Sequence, residues 1–239
     1  MHGAIKSIPP PLGSLIASLR RIVECLRRHL RIRRDIRRLR RATAAGRTPR
    51  IVVGSSGVTP PGWIQTDIEY LNLLQPADWE RFFQENTLSA ILAEHVWEHL
   101  SVEDAARAAA TCFAYLRPGG YLRLAVPDGF NPDPAYREWV RPGGTGPGAD
   151  DHKVLYTHET MAALLTGVGF RVELLEHFDS SGKFHFTDWN PADGMIHRSR
   201  RFDERNQGGQ LRYTSLVVDA FKPGGETSGD ASDHRLHIE

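Results

Sequence analysis

Arg50-Ile51-Val52-Val53-Gly54-Ser55-Ser56-Gly57 is the stretch on which the fold turns. A short apolar, β-branched run bounded by glycine signals a buried strand. It runs straight into two glycines that bracket two serines. Glycine lets a backbone approach a ligand where a Cβ would collide. Outward from this point the chain alternates. Trp63 to Ile68 reads as a second strand. Residues 71–86 read as a loop or short strand followed by a helical turn from Ala77 to Phe83. Leu88 to Ala93 is a strand. Ser101-Val102-Glu103-Asp104 resembles a capping box, and the helix it opens carries Val102, Ala105, Ala106, Ala109, Cys112, Phe113 and Leu116 on one face. Pro118-Gly119-Gly120 closes that unit, and Tyr121 to Val126 is the next strand, ending at Pro127-Asp128. Residues 141–150 read as a flexible loop. Thr157 caps a helix closed by Gly167-Val168-Gly169. Phe170 to Leu175 and Leu211 to Phe221 are the last strands, around a polar insertion at 178–210.

Strands alternating with helices predict an α/β fold with a mostly parallel sheet. The rhythm of the last strands predicts a mixed edge. In such sheets ligands bind outside the carboxyl ends of the strands.

Before residue 50 the chain has another character. Residues 1–50 hold thirteen arginines and Lys6 against Glu24 and Asp35, a net charge of +12, although the whole chain of 239 residues is only +1. Leu15, Leu19, Ile22, Val23, Leu26 and Leu30 recur at helical spacing from Ser14, and Ile32, Ile36 and Leu39 continue the stripe with a shift of phase. Three regions are expected: a basic helical arm over 1–49, one α/β domain over 50–222, and a disordered tail over 223–239. Two cysteines exclude a disulfide framework and a Cys-rich zinc site. No apolar run approaches the length of a membrane span, and a secretory signal is not evident. A cytoplasmic protein is expected, peripheral at the inner membrane surface if the arm meets lipid.

Several residues can carry chemistry. Gly54, Ser55, Ser56 and Gly57, with Asp67 at the end of the next strand, fit a nucleoside site in which the carboxylate accepts from ribose hydroxyls. The plain alternative is a glycine turn and a surface aspartate. GxGxxG is absent, and the short connection to Ile64 compresses the first crossover below the dozen residues a parallel pair normally takes. This argues against NAD or FAD. Glu94-His95-Val96-Trp97-Glu98-His99 follows the third strand, so Glu94 and His95 stand at its carboxyl end. His95 to His99 also matches H-x-x-E-H, a zinc-hydrolase motif that needs a helix to put both histidines on one face. A plain reading makes the histidines structural groups at a strand-to-helix junction. Asp128 ends a strand on the same side, and His152 reaches it if the 141–150 loop folds over as a lid.

In this order the segments resemble a class I S-adenosylmethionine (SAM)-dependent methyltransferase, and within that class a bacterial group of predicted SAM-dependent methyltransferases. The resemblance rests on Gly54-Ser55-Ser56-Gly57, Gly62-Trp63-Ile64-Gln65-Thr66-Asp67, Glu94 to Leu100, Leu116 to Gly120, Val126-Pro127-Asp128, His152-Lys153 with Tyr156, and Gly169-Phe170. It covers about residues 50–222. It implies a Rossmann-like sheet of seven strands, the last antiparallel, and SAM as cofactor. It places Gly54 to Gly57 beside the methionine moiety, Asp67 on the ribose, Asn72 and Leu73 beside the adenine, and Glu94 and His95 beside the sulfonium.

Methyl transfer is an in-line displacement, so positioning is the main task, and a hydroxyl acceptor gains from a base such as histidine. His95, His152 and Asp128 are the candidate bases, and no metal is assigned. The N-P-P-Y type motif of many amino-group methyltransferases is missing, which favours an oxygen acceptor on a small molecule or glycan. Tyr136, Trp139, Trp189 and the insertion could line its pocket or simply pack. A non-catalytic SAM- or nucleoside-binding protein and a zinc hydrolase built on His95, Glu98 and His99 are the rivals. The arm over residues 14–45 has three readings: an anionic membrane surface, nucleic-acid phosphates, or packing on the body or on a second copy as a homodimer.

Overall fold

The computed structural model describes residues 12–44, 46, 48–55 and 59–224, with side chains from residue 16 onward. Ser56 and Gly57, residues 1–11, and residues 225–239 of the tail lie outside the described residues.

The arm is one helix, α1 (Leu12–Ala44). Seven strands follow: β1 (Arg50–Val53), β2 (Ile64–Gln65), β3 (Leu88–Glu94), β4 (Leu116–Val126), β5 (Arg171–Phe178), β6 (Phe184–Phe186) and β7 (Leu216–Phe221). They form one sheet in the order β2-β1-β3-β4-β7-β5-β6. The four strands β2, β1, β3 and β4 are parallel neighbours, while β7 runs antiparallel between β4 and β5, and β6 pairs antiparallel with β5. This is a Rossmann-like α/β sheet with a mixed edge. The first crossover is as short as the sequence implies and contains no helix among its described residues; Trp63 N–H closes a turn on Pro60 O. β2 is far shorter than the Trp63–Ile68 segment suggests. Pairing with β1 ends at Thr66, whose N–H and Oγ1 both donate to Val52 O (2.7 and 2.9 Å), and Asp67 then turns the chain.

Alternation along each strand sorts the core into two faces. Ile51 and Val53 of β1, Ile91 and Ala93 of β3, and Leu122 and Leu124 of β4 point to the helical face. There they meet Ala105, Ala108, Ala109 and Cys112 of α3 (Val102–Tyr115), Met161 and Leu165 of α5 (His158–Val168), and Trp79 of α2 (Pro76–Glu80). Ser101 caps α3 by accepting from Asp104 N (3.1 Å). Val52, Leu92, Ala125 and Val217 point to the other face, covered by Trp63, Ile196 and Trp189. The polar insertion is thus the second outer layer. It is clamped by Arg123, whose Nε and Nη2 donate to the two oxygens of Asp219 (both 2.7 Å) while Nη1 donates to Gly194 O (2.7 Å).

Pro118-Gly119-Gly120 is drawn into β4 rather than closing a unit before it. A Cβ on Gly120 would stand 3.0–3.1 Å from three carbonyl oxygens, tighter than ordinary side-chain contact, so the backbone packs closely here. Residues 211–215, expected in the last strand, lie outside β7. Tyr213 is instead buried against Tyr136 and Val140 of α4 (Pro134–Val140), a helix that the sequence pattern did not reveal.

Candidate functional site

β1 and β3 lie side by side and parallel, so their carboxyl ends open on one crevice. Gly54 makes the bend with φ of +61°, and its α-carbon lies so close to Val96 that a Cβ would stand 2.7 Å from Val96 Cγ2. His95 carries the second unusual backbone, φ of +55°, fixed by its N–H donating to Ala125 O (2.8 Å). A non-glycine residue there costs about 1–2 kcal/mol, which the pairing with β4 offsets. The crevice encloses about 420 Å³ and is lined by Gly54, Ser55, Pro60, Leu92, Glu94, His95, Met195, His197 and Arg198, among others. A second cavity of about 240 Å³ adjoins it, lined by His95, Glu98, His99, Pro127, Trp139, Gly146 to Ala149, His152, Arg198 and Tyr213, among others. His95 and Arg198 belong to both.

The His95 ring bridges two partners: Nε2 is 3.0 Å from Ser215 Oγ, and Nδ1 is 2.8 Å from Glu98 Oε1. Glu98 is 1% exposed. Glu94 lines the crevice, but its oxygens are committed. Oε1 accepts from Arg198 N (2.6 Å) and Oε2 from His197 N (3.2 Å), tying the insertion to the end of β3. His152 lines the smaller cavity together with Gly146 to Ala149 of the glycine-rich loop. It does not reach Asp128; its Nδ1 is 2.7 Å from Val140 O, and its ring stands 4.9 Å from that of His99.

Asp128 is fully buried and lines neither cavity. Its oxygens accept from Phe130 N (2.9 Å) and Phe178 N (2.7 Å), and burial pushes its carboxyl up to about 6. Both oxygens are thus engaged by backbone amides and not turned to the crevice. Asn72 and Leu73 also stand away from the crevice. Asn72 Oδ1 accepts from Leu74 N (2.9 Å), and Leu73 is buried in the helical-side core.

Asp67 and Ser55 border one space, as expected, but α1 fills it. Arg31, Ile32 and Asp35 of α1 line it with Ser55, Gln65, Asp67 and Tyr70, and no free volume is left. Arg31 Nη2 is 4.0 Å from Asp67 Oδ2, and Ile68 N donates to Asp67 Oδ1 (2.9 Å). Burial raises the Asp67 carboxyl above its ordinary value. The H-x-x-E-H match does not form the helix it needs. Trp97–His99 is a single 3-10 turn, and His95 and His99 turn to different partners.

The residues that sequence reasoning left out are Glu98 as the partner of His95, Ser215, and His197 with Arg198. The H-x-x-E spacing held a signal for the first. The others come from 100 or more residues away.

The chain matches no family model and no curated protein sequence. Solved structures similar to it are of low identity. A SAM-dependent methyltransferase from Archaeoglobus fulgidus is 15% identical over 80% of this chain and 90% of its own, with a TM-score of 0.42. The Burkholderia thailandensis 1,6-didemethyltoxoflavin-N1-methyltransferase, solved with 1,6-didemethyltoxoflavin and S-adenosylhomocysteine, is 15% identical over 92% of this chain and 93% of its own, with a TM-score of 0.41.

Proposed function

We propose that this chain is a SAM-dependent methyltransferase of the bacterial group that its motifs resemble, acting on a hydroxyl of a small molecule or glycan. The observation that carries the reading is the junction of two cavities at His95. A transfer reaction needs two substrates meeting at one point, and the larger crevice, about 420 Å³, falls within the usual range for small-molecule sites. Gly54 offers a backbone approach free of Cβ, and Ser55, Glu94 and His95 continue the wall. The Asp67 end fits a ribose only if Arg31 and Ile32 give way. SAM, when bound, supplies a methyl group on a sulfonium. The protein supplies alignment, worth more than any single group in an in-line displacement. His95 Nε2, now beside Ser215 Oγ, accepts the proton of the acceptor hydroxyl, and Glu98 places a carboxylate beside the imidazolium that results.

Calorimetry of the full chain with SAM tests the first step, with one site per chain expected. In a product screen by mass spectrometry, His95→Ala lowers turnover by about 10²–10⁴-fold and keeps SAM affinity within a few-fold. Absence of SAM binding overturns the reading. Binding with unchanged turnover in His95→Ala removes His95 as the base. Binding without product across acceptors favours the non-catalytic alternative.

We also propose that α1 meets an anionic membrane surface. Ile16, Leu19, Ile22, Val23, Leu26 and Leu30 are 41–64% exposed. At 100° per residue they fall within a sector of about 120°. Arg33, Arg34, Arg37 and Arg41 continue the same sector and line a groove of about 850 Å³. An apolar strip followed in line by arginines suits a lipid surface. No described helix is long and apolar enough to cross a membrane. The full chain is expected to float with phosphatidylglycerol vesicles and not with phosphatidylcholine, and to lose flotation when residues 1–30 are removed. A chain that ignores both vesicles and forms a dimer lost with the same deletion overturns this proposal.

A further inference from the structure

We propose that Glu98, His99 and His152 form a binding site for one divalent transition-metal ion in the wall of the smaller cavity. The three side chains each offer one ligand atom, and these atoms lie within 4.8 Å of one another. All three line the 240 Å³ cavity. Two imidazoles and a carboxylate are a donor set suited to zinc and its neighbours rather than to calcium or magnesium, and three protein ligands leave a position open. Around zinc, such donors sit about 3.4 Å apart, from bond lengths near 2.1 Å in tetrahedral geometry. Loading therefore draws the triangle inward.

Independent observations point to a ligand here. Glu98 is 1% exposed, and neither of its carboxylate oxygens completes a hydrogen bond. His95 Nδ1 approaches Oε1 to 2.8 Å, which leaves Oε2 without a partner. Buried carboxylates are paired or bound to metal, because an orphan charge in the interior is strongly disfavoured. His152 is oriented in the way metal-binding histidines are. Its Nδ1 faces Val140 O at 2.7 Å, and a carbonyl can only accept, so the ring proton sits on Nδ1 and the Nε2 lone pair is left for a ligand. The His99 Nδ1 is also buried without a completed hydrogen bond, with Asp151 Oδ2 at 3.2 Å.

The frame is rigid. Lys153 N donates to Glu98 O (2.6 Å), and Val154 N reaches the same oxygen (3.3 Å), so the segment bearing His152 is stitched to the turn bearing Glu98 and His99. Of the nearby cations, Lys153 pairs with Asp151 (3.3 Å) and Arg198 lines the same cavity. This set is not the H-x-x-E-H trio, since His152 replaces His95. On the methyltransferase reading, on which only this extension rests, the site shares its cavity with His95, and the acceptor belongs to the class whose hydroxyl oxygen ligates a cation.

Elemental analysis of the full chain purified without chelator, followed by Zn²⁺ and Co²⁺ titration, tests the site. One equivalent per chain is expected, with a Co²⁺ visible spectrum of low coordination number. Glu98→Gln and His152→Asn each weaken Zn²⁺ binding by at least about tenfold and remove the Co²⁺ bands, while His29→Ala on exposed α1 changes neither. His152→Asn serves as the second variant should Glu98→Gln fail to fold. No stoichiometric metal, or metal that binds equally to the His152 variant, overturns the proposal. SAM calorimetry separates the two readings: SAM binding without metal retires this site alone, and metal without SAM retires the transferase.

Discussion

Replacing Gly54 with alanine tests the crevice at its narrowest point. Two costs follow from the structure. A φ of +61° is disfavoured for an L-residue by about 1–2 kcal/mol. The new Cβ would also stand 2.7 Å from Val96 Cγ2, with Cγ1 at 3.8 Å. Valine is stiff at χ1, so relief means an off-rotamer side chain at about 0.5–1.5 kcal/mol. The sum is about 2–3 kcal/mol, or a fall in Tm of about 5–10 °C for a domain of this size. Urea denaturation of the wild type, Gly54→Ala, Val96→Ala and the double variant separates the two costs. Removing the valine methyls relieves the collision and leaves the backbone cost, so the cycle should show a coupling of about 1 kcal/mol. In calorimetry, Gly54→Ala loses SAM affinity by more than about tenfold, since about 1.4 kcal/mol of misplaced backbone suffices. A Gly54→Ala protein within about 0.5 kcal/mol of wild type, with no coupling to Val96, would show that the bend does not adopt this path, and the nucleoside reading would go with it.

Other perturbations have signs fixed by the geometry. Burial raises the Asp128 carboxyl from 3.8 to about 6, so the native state holds a proton that the unfolded chain has lost. This stability is fully present below about pH 3.8 and is lost as pH rises through about 6, amounting to about 3 kcal/mol. The stability difference between wild type and Asp128→Asn should therefore shift against wild type across that window in urea titrations, and a flat difference would refute the assignment. Asp219→Ala strands a guanidinium that is 3% exposed and should cost about 3–5 kcal/mol, whereas replacing Arg123 and Asp219 together with apolar residues recovers most of it. Asp67→Ala and Arg31→Ala should move SAM affinity in opposite directions. The first weakens it by about 10–100-fold through lost charge-assisted hydrogen bonds, and the second tightens it by no more than about fivefold, the worth of an exposed ion pair. Arg31→Ala weakening SAM would mean that the arm is part of the cofactor site.

The parts legible in the sequence are those whose signal is local. β1 and β3 are apolar runs bounded by turns, and α3 and α5 carry their own caps at Ser101 and Thr157. α4 has only two buried residues, Tyr136 and Val140, in seven, too few to set a period, and it sits beside the Pro- and Gly-rich stretch that reads as loop. β6 is three residues long and exists only because β5 offers it an edge. The site divides in the same way. His95 and Glu98 are an i,i+3 pair, visible in principle. Ser215 meets His95 across 120 residues, and Arg198 meets Glu94 across 104, partners that only the sheet order brings together. Asp128 marks a strand end correctly, but a strand end leaves open whether a carboxylate faces the crevice or turns inward to cap two amides.

The phase shift in the arm has a physical meaning that the charge asymmetry conceals. A net +12 segment beside a net −11 body suggests electrostatic docking. The contacts say otherwise. Leu39 is fully buried, and Ile32, Ile36 and Ala42 pack against the same core. Burying such side chains is worth about 1.5–3 kcal/mol each. The ion pairs from α1 to the body are Arg28 with Glu69 and Arg31 with Asp67, with Arg28 and Arg31 59% and 37% exposed, and such pairs contribute about 0–1 kcal/mol. Apolar burial therefore fixes the helix, and it ends near residue 32. Before that point the apolar stripe lies about 160° around the helix from the docked residues, so the body cannot cover both. Among the described residues, Arg20, Arg21, Arg27, Arg33, Arg37, Arg38, Arg40 and Arg41 have no carboxylate partner. Of these, Arg33, Arg37, Arg40 and Arg41 fall in the sector of the uncovered leucines and isoleucines, and Arg33, Arg37 and Arg41 line a groove there with Thr48, Pro49 and Ile64. An anionic apolar surface meets both needs at once, whereas the body, already docked through the opposite face, meets neither.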